Sequence, residues 1–282
     1  MELLRPSSPD EAVGALGNGS RALAGGTELV PLMRDGLVRA DTLVEVRDVV
    51  PRGVHGTRIG AGTTLAELEL DAQVPQALRE ASAQAASPQL RSMGTIGGNL
   101  LQATRCWYWR LGFDCWLHGG DECFAKDGAQ REHAIFGNAQ CASAHPSDLA
   151  AALVALDARL WTTKRELPIA ELYRLPTDDD REVTTLARDE LILEIDVAPP
   201  DASTYLKAMD RRKWAFPIVG VAAARFGSEI RIALAGVAPI PWLLDSAAAL
   251  ENATPLPGTA YKVEIARALI RRAVDAVKSG SR

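Results

Sequence analysis

Ala22-Leu23-Ala24-Gly25-Gly26-Thr27-Glu28-Leu29 lies between a short apolar strand, residues 21–24, and a segment of helical character, residues 28–34. The paired glycines let backbone approach a ligand closely, and the helix start that follows offers unpaired N–H groups to an anion such as a pyrophosphate. Neither the dinucleotide pattern GxGxxG nor the phosphate loop GxxxxGK followed by Ser or Thr occurs. Taken alone, such a turn is more often a plain strand-to-helix connection.

Outward from it, Ser8 caps a helix over residues 9–16 that Gly17 stops, and residues 42–46 form a second strand. A further strand follows over residues 56–62, then a capped helix start at 63–69 and an Ala-rich amphipathic helix over 74–86. A second glycine turn is Thr95-Ile96-Gly97-Gly98-Asn99-Leu100, where glycines expose backbone amides between a hydroxyl and an amide side chain. It reads equally as a tight turn held by Asn99. The third feature, His145-Pro146-Ser147-Asp148-Leu149, opens an apolar segment. Asp148 either accepts hydrogen bonds from ribityl or ribose hydroxyls or belongs to an ordinary helix cap. Two glycine loops in one chain favour a cofactor with more than one polar moiety.

The remaining chain is predicted to form helix or strand over 149–158, a strand over 159–163 and a polar linker over 175–189. A last unit starts with a strand over 191–197, continues through strands near 205–209, 219–225 and 230–237, and ends in helices over 246–251 and 263–277. The formal charge is −5, which argues against a nucleic-acid binder held by phosphate neutralisation. No apolar run is long enough to span a membrane. The N-terminal stretch MELLRPSSPDEAVGAL has neither a basic start followed by an apolar run nor a twin arginine. The reading is a cytoplasmic chain without an export signal of its own; co-export to the periplasm with a signal-bearing partner stays open.

The four cysteines, Cys106, Cys115, Cys123 and Cys141, all fall within 36 residues, with spacings x8, x7 and x17. That clustering, in a region rich in glycine and tryptophan without periodicity, points to a metal site rather than scattered core thiols or a disulfide framework. The spacing is neither a ferredoxin run nor the paired CxxC of a zinc ribbon. A cluster shielded by Trp107, Tyr108, Trp109 and Trp116, its charge offset by Arg105 and Arg110, and a structural four-cysteine zinc site are both open. His118 and His133 lie nearby and read either as further ligands or, more commonly, as surface histidines. No Ser/His/Asp or paired-carboxylate arrangement demands covalent or acid–base catalysis, so no catalytic residue is assigned.

The three loops, in this order and at these intervals, resemble the FAD subunits of molybdenum hydroxylases such as carbon monoxide dehydrogenase and xanthine dehydrogenase. The resemblance continues through Asp189-Glu190-Leu191-Ile192, Tyr205-Leu206-Lys207 and Ile232-Ala233-Leu234-Ala235-Gly236-Val237-Ala238-Pro239. It implies an α+β fold: a two-part FAD-binding domain of the PCMH/vanillyl-alcohol-oxidase-like type over residues 1–175, with subdomains at about 1–55 and 56–175, then a small α+β C-terminal domain over 176–282. By the resemblance, Ala22–Leu29 together with Thr95, Gly98 and Asn99 hold the FAD pyrophosphate, Asp148 lies by the sugar chain, and Leu191, Ile192 and Lys207 line the flavin side. The segment 102–141 is an insertion that resembles the one in bacterial aldehyde oxidoreductases and 4-hydroxybenzoyl-CoA reductases, where four cysteines bind a [4Fe–4S] cluster. The resemblance further implies a molybdenum-cofactor large subunit and a [2Fe–2S] small subunit as partners, and an external electron acceptor such as a ferredoxin. Residues 177–188 and the segment after Leu250 look short beside the family, which implies trimmed loops over the flavin. A self-contained flavoenzyme and a non-catalytic zinc scaffold remain rival readings.

Overall fold

The computed structural model describes residues 1–211 and 213–279. At the N-terminus, Ser8 Oγ accepts a hydrogen bond from Glu11 N at 3.2 Å and Pro9 takes the first helical position, which starts the helix Pro9–Ala15. Strands Glu2–Leu4, Ser20–Leu23 and Thr42–Glu45 form a three-stranded parallel sheet with Thr42–Glu45 in the centre. Each is separated from the next by a helix, Pro9–Ala15 or Leu29–Arg34, the crossover that parallel strands require.

A second, antiparallel sheet orders its strands Val54–His55, Arg58–Gly60, Ile192–Asp196, Arg159–Thr162 and Glu166–Pro168. Strand Ile192–Asp196 was expected to open the C-terminal unit, and the expected boundary at 175/176 lies ahead of it. Its pairing with Arg58–Gly60 and Arg159–Thr162 instead puts it inside the sheet of the preceding part. Local sequence could not disclose this, because both partners lie far away along the chain.

The excursion between Arg58–Gly60 and Arg159–Thr162 carries the helices Leu65–Leu70, Gln76–Gln84 and Asp148–Ala155. Thr64 and Glu67 close a capping box on the first. Helix Asp148–Ala155, which sequence left between helix and strand, is buried at every residue. An apolar helix without a polar stripe needs packing all round. Gln76–Gln84 and the last sheet supply it.

That last sheet is an antiparallel series, Ala202–Ala208, Val219–Phe226, Glu229–Ala235 and Trp242–Leu244. Its side chains alternate between two cores. Tyr205, Ala222, Ala224 and Ala233 join the core around Asp148–Ala155, while Val219, Val221, Ala223, Ile232 and Leu234 face the C-terminal helix Tyr261–Ser279. The helix expected over 246–251 is a 3-10 turn, Ala247–Asn252.

The insertion is largely irregular, with the short helix Trp107–Arg110 and the 3-10 turn Trp116–His118. It is nevertheless no detached loop. Ile135 and Phe136 are buried in the C-terminal core, and both their N–H groups donate to Val237 O, at 2.7 and 3.0 Å. Among the described residues no helix is long and apolar enough to cross a membrane.

Candidate functional site

Strand Ser20–Leu23 delivers the chain into the Gly25-Gly26 turn. Ala22 and Leu23 pair with Val44 and Glu45, and Ala24 O accepts from Arg47 at 3.3 Å. Each glycine has its own reason. Gly26 sits at φ +71, the left-handed region. A Cβ on Gly25 would stand 1.9 Å from Met93 O, so only glycine lets this turn lie against the segment leading into the second glycine loop. The backbone N–H groups of Gly25, Gly26, Thr27, Glu28 and Leu29 donate to no protein group among the described residues. A row of half-buried, unpaired amides is an anion cradle.

The second loop works differently from expectation. Thr95 caps the helix Ile96–Leu100 by accepting from Gly98 N at 3.2 Å. Ile96 N donates to Thr63 O, Gly97 N to Ala61 O and Asn99 N to Thr95 O, at 2.9, 3.0 and 2.9 Å. The expected exposed amides are thus consumed by the fold. Gly97 packs tightly, since a Cβ there would meet Ala61 at 3.1 Å. Gly98 is exposed, and a Cβ on it would meet only Thr95 Oγ1. Asn99 Oδ1 accepts from Ser147 Oγ at 2.6 Å, which joins the second loop to the third.

Asp148 is fully buried. One carboxylate oxygen accepts from Tyr205 Oη, and the other from Lys207 Nζ at 2.7 Å. Gly220 makes room for this: a Cβ there would stand 2.1 Å from Tyr205 Oη. Burial pushes the Asp148 carboxyl up, against the opposing pull of Lys207 and Tyr205. Lys207, itself without exposed side chain, also donates to Gln84 O at 3.1 Å. Sequence aimed Asp148 at sugar hydroxyls and Lys207 at the flavin. Here both are engaged by protein, locking the apolar helix to the last sheet. Leu191, expected with Ile192 on the flavin side, packs with Ala12, Val44, Val46 and Val50, and Ile192 packs into the main core.

All four cysteines line one small cavity, together with Tyr108, Trp109, Trp116 and Phe124. Trp107, expected as a shield, is 54% exposed and turns away. His133, expected on the surface, is 1% exposed, and its Nε2 lies 3.2 Å from Cys106 Sγ. His118 stacks on Trp109 at 5.0 Å. Hydrogen bonding from Cys141, then from the N–H groups of Ala142 and Ala125, holds the Cys123 thiol well below its usual range despite its burial, and Cys141 is held up in turn. Burial chiefly raises Cys106, and charge on Cys115 and Cys123 raises it further, as expected of thiols sharing one space. Among the described residues, no three His, Cys, Asp or Glu side chains converge as ligands of a single metal ion.

The arginines expected to offset cluster charge have another partner. Arg105 and Arg110 both bind Glu28, each at 2.6 Å. Residues 177–188 were expected to include a trimmed flavin loop, and the first of them do something else. They clasp the insertion instead: Asp178 accepts from Trp116 Nε1 and Gln140 Nε2, both at 3.0 Å, and the Arg181 guanidinium lies 4.8 Å over the Trp116 ring. Sequence missed these contacts, most of which join residues more than sixty positions apart.

A parallel β/α unit bearing an unpaired amide cradle, packed on a second glycine loop, is the frame of a nucleotide-cofactor domain. The chain belongs to the family of FAD-binding domains in molybdopterin dehydrogenases, which matches residues 1–200. It is similar to the FAD-binding subunit of aldehyde oxidoreductase from Escherichia coli K12, with 35% identity over 250 residues, 81% of this chain and 78% of that one. It is also similar to the carbon monoxide dehydrogenase medium chain of Afipia carboxidovorans, 43% identical over 107 residues, 34% of this chain and 37% of that one. A structure of carbon monoxide dehydrogenase from Hydrogenophaga pseudoflava lacking the Mo-pyranopterin moiety shares the fold, with a TM-score of 0.73 at 24% identity over 99% of this chain and 98% of that one.

Proposed function

We propose that the chain is the electron-transfer flavoprotein subunit of a molybdenum-dependent hydroxylase of the aldehyde oxidoreductase kind. FAD when bound accepts electron pairs and releases single electrons, and the protein's part is to hold and tune it. The observation that carries this reading is the run of unpaired N–H groups from Gly25 to Leu29, donors of the kind an anionic pyrophosphate takes. In this reading Thr95, Gly98 and Asn99 complete the site from the second loop, whose lead-in segment Met93–Gly94 lies against Gly25, and Ser147 holds Asn99 by a 2.6 Å hydrogen bond. The buried Asp148–Tyr205–Lys207 constellation keeps the helix behind them rigid.

The second part of the proposal is that Cys106, Cys115, Cys123 and Cys141 hold one [4Fe–4S] cluster. What supports this is that all four cysteines line one aromatic-walled cavity, which gathers the donor set a thiolate-ligated cluster takes. The cluster would carry single electrons between the flavin and an external acceptor such as a ferredoxin. Electrons would reach the flavin from a molybdenum-cofactor large subunit through a [2Fe–2S] small subunit. Val30, Met93 and Leu101 stay exposed around the glycine loops, a surface such partners would cover.

The absorption spectrum of the purified chain tests the proposal. Flavin bands with a broad shoulder across the visible blue are expected. A colourless protein, or flavin bands alone after anaerobic purification, contradicts the whole or its second part.

A further inference from the structure

Glu28 closes the flavin cradle but spends its side chain elsewhere. It is the residue before helix Leu29–Arg34 and makes no side-chain cap to it. Its Oε1 accepts from Ala103 N at 3.2 Å and from Arg110 Nη2 at 2.6 Å, and its Oε2 accepts from Arg105 Nη2 at 2.6 Å. The three side chains are only 19%, 18% and 29% exposed. Two guanidinium groups thus share one largely buried carboxylate, and without it they would face each other uncompensated.

The further contacts of Arg110 lead toward the cysteines, while Arg105 Nη2 also donates to Gln102 Oε1 at 3.0 Å. Arg110 donates to Thr104 O at 2.7 Å and Ala103 O at 3.2 Å. Thr104 Oγ1 accepts from Cys106 N at 3.2 Å, so the first cysteine is one residue beyond the joint. The guanidinium of Arg105 lies 4.6 Å over the Phe216 ring, which closes the other side. The backbone of Glu28 belongs to the unpaired amide row, whereas its carboxylate belongs to the cysteine segment.

We propose that Glu28 is a positioning residue that couples the two sites: filling the amide cradle orders residues 102–111, and ordering that segment tightens the cradle. A ligand that fixes the Gly25–Leu29 backbone fixes the Glu28 carboxylate, hence Arg105, Arg110 and Cys106. By linkage the effect runs equally in reverse. This rests on the reading that FAD lies at Gly25–Leu29, and it is independent of which inorganic group the cysteines hold.

The test uses the full chain, with FAD affinity and hydrogen exchange as readouts. In the wild type, FAD should slow exchange across residues 102–111. Glu28→Gln should abolish that FAD-dependent protection and weaken FAD about tenfold, within the usual range of coupling between sites. Arg110→Gln, which reaches the cradle only through Glu28, should weaken FAD by a similar factor. The double variant should lose little more than either single one, because both remove the same link. If Arg110→Gln bound FAD as tightly as wild type, or FAD left exchange in 102–111 unchanged, the coupling would be overturned. Failure of the underlying site looks different: Gly26→Val would then bind FAD normally. Should Glu28→Gln fail to fold, the Arg110→Gln affinity and the wild-type exchange decide alone.

Discussion

At Gly26 the backbone lies at φ +71, with Val30 and Leu23 within 3.3 and 3.5 Å of a prospective Cβ. Sequence located this glycine correctly in a turn, yet placed its importance in room for the ligand. The conformation supplies a second reason, since a β-branched residue is strongly disfavoured there. Gly26→Val should therefore empty the flavin site, while Gly26→Asn, which tolerates the left-handed region, should retain more flavin; flavin per folded chain is the measurement. Full occupancy in Gly26→Val would contradict the assignment. His145 makes a separate point at this scale. Its ring is buried against Tyr173 and pushed down to about 3 from its ordinary 6.5. The unfolded chain binds a proton near pH 6.5 that the folded chain refuses until about 3, so this stability is intact above 6.5 and lost as pH falls through that window. The loss is about 1.4 kcal/mol per pH unit across it. Denaturant titrations between pH 6 and 4 should show a shallower pH slope in His145→Phe, and an unchanged slope would count against this assignment.

Among the elements, the helix Asp148–Ala155 positions the most. It is buried at all eight residues, and Ser147 both caps it at Ala150 N and reaches Asn99. Leu153→Ala should cost about 2–5 kcal/mol in unfolding free energy, as expected for a cavity in a filled core. A change below about 1 kcal/mol would mean that the helix is less tightly enclosed than described. Local pattern revealed this helix only ambiguously, because a segment apolar on every face has no period to read. Capped helices such as Pro9–Ala15 and Leu65–Leu70 were legible from Ser8 and from Thr64 with Glu67. Strand Ile192–Asp196 was legible as a strand but not in its sheet. Its neighbours there, Arg58–Gly60 and Arg159–Thr162, are chosen by the fold and leave no local signature.

For the molecule as a whole, the glycine loops, the cysteine group and the family were all readable, because each rests on residue types that have few other uses. The joints between them were not. Glu28 with Arg105 and Arg110, Asp178 with Trp116, and Ile135 within the C-terminal core all depend on chain segments brought together from a distance. The flavin loops lie outside the insertion, yet the Glu28 bridge predicts a measurable weakening of FAD in Cys106→Ser. The central claim is that this chain carries both a flavin and an iron–sulfur centre. Its most direct test is the content of FAD, iron, acid-labile sulfide and zinc per chain after anaerobic purification. About one FAD with about four irons and four sulfides is the predicted result. Stoichiometric zinc without sulfide would contradict it and leave the cysteine segment a structural staple.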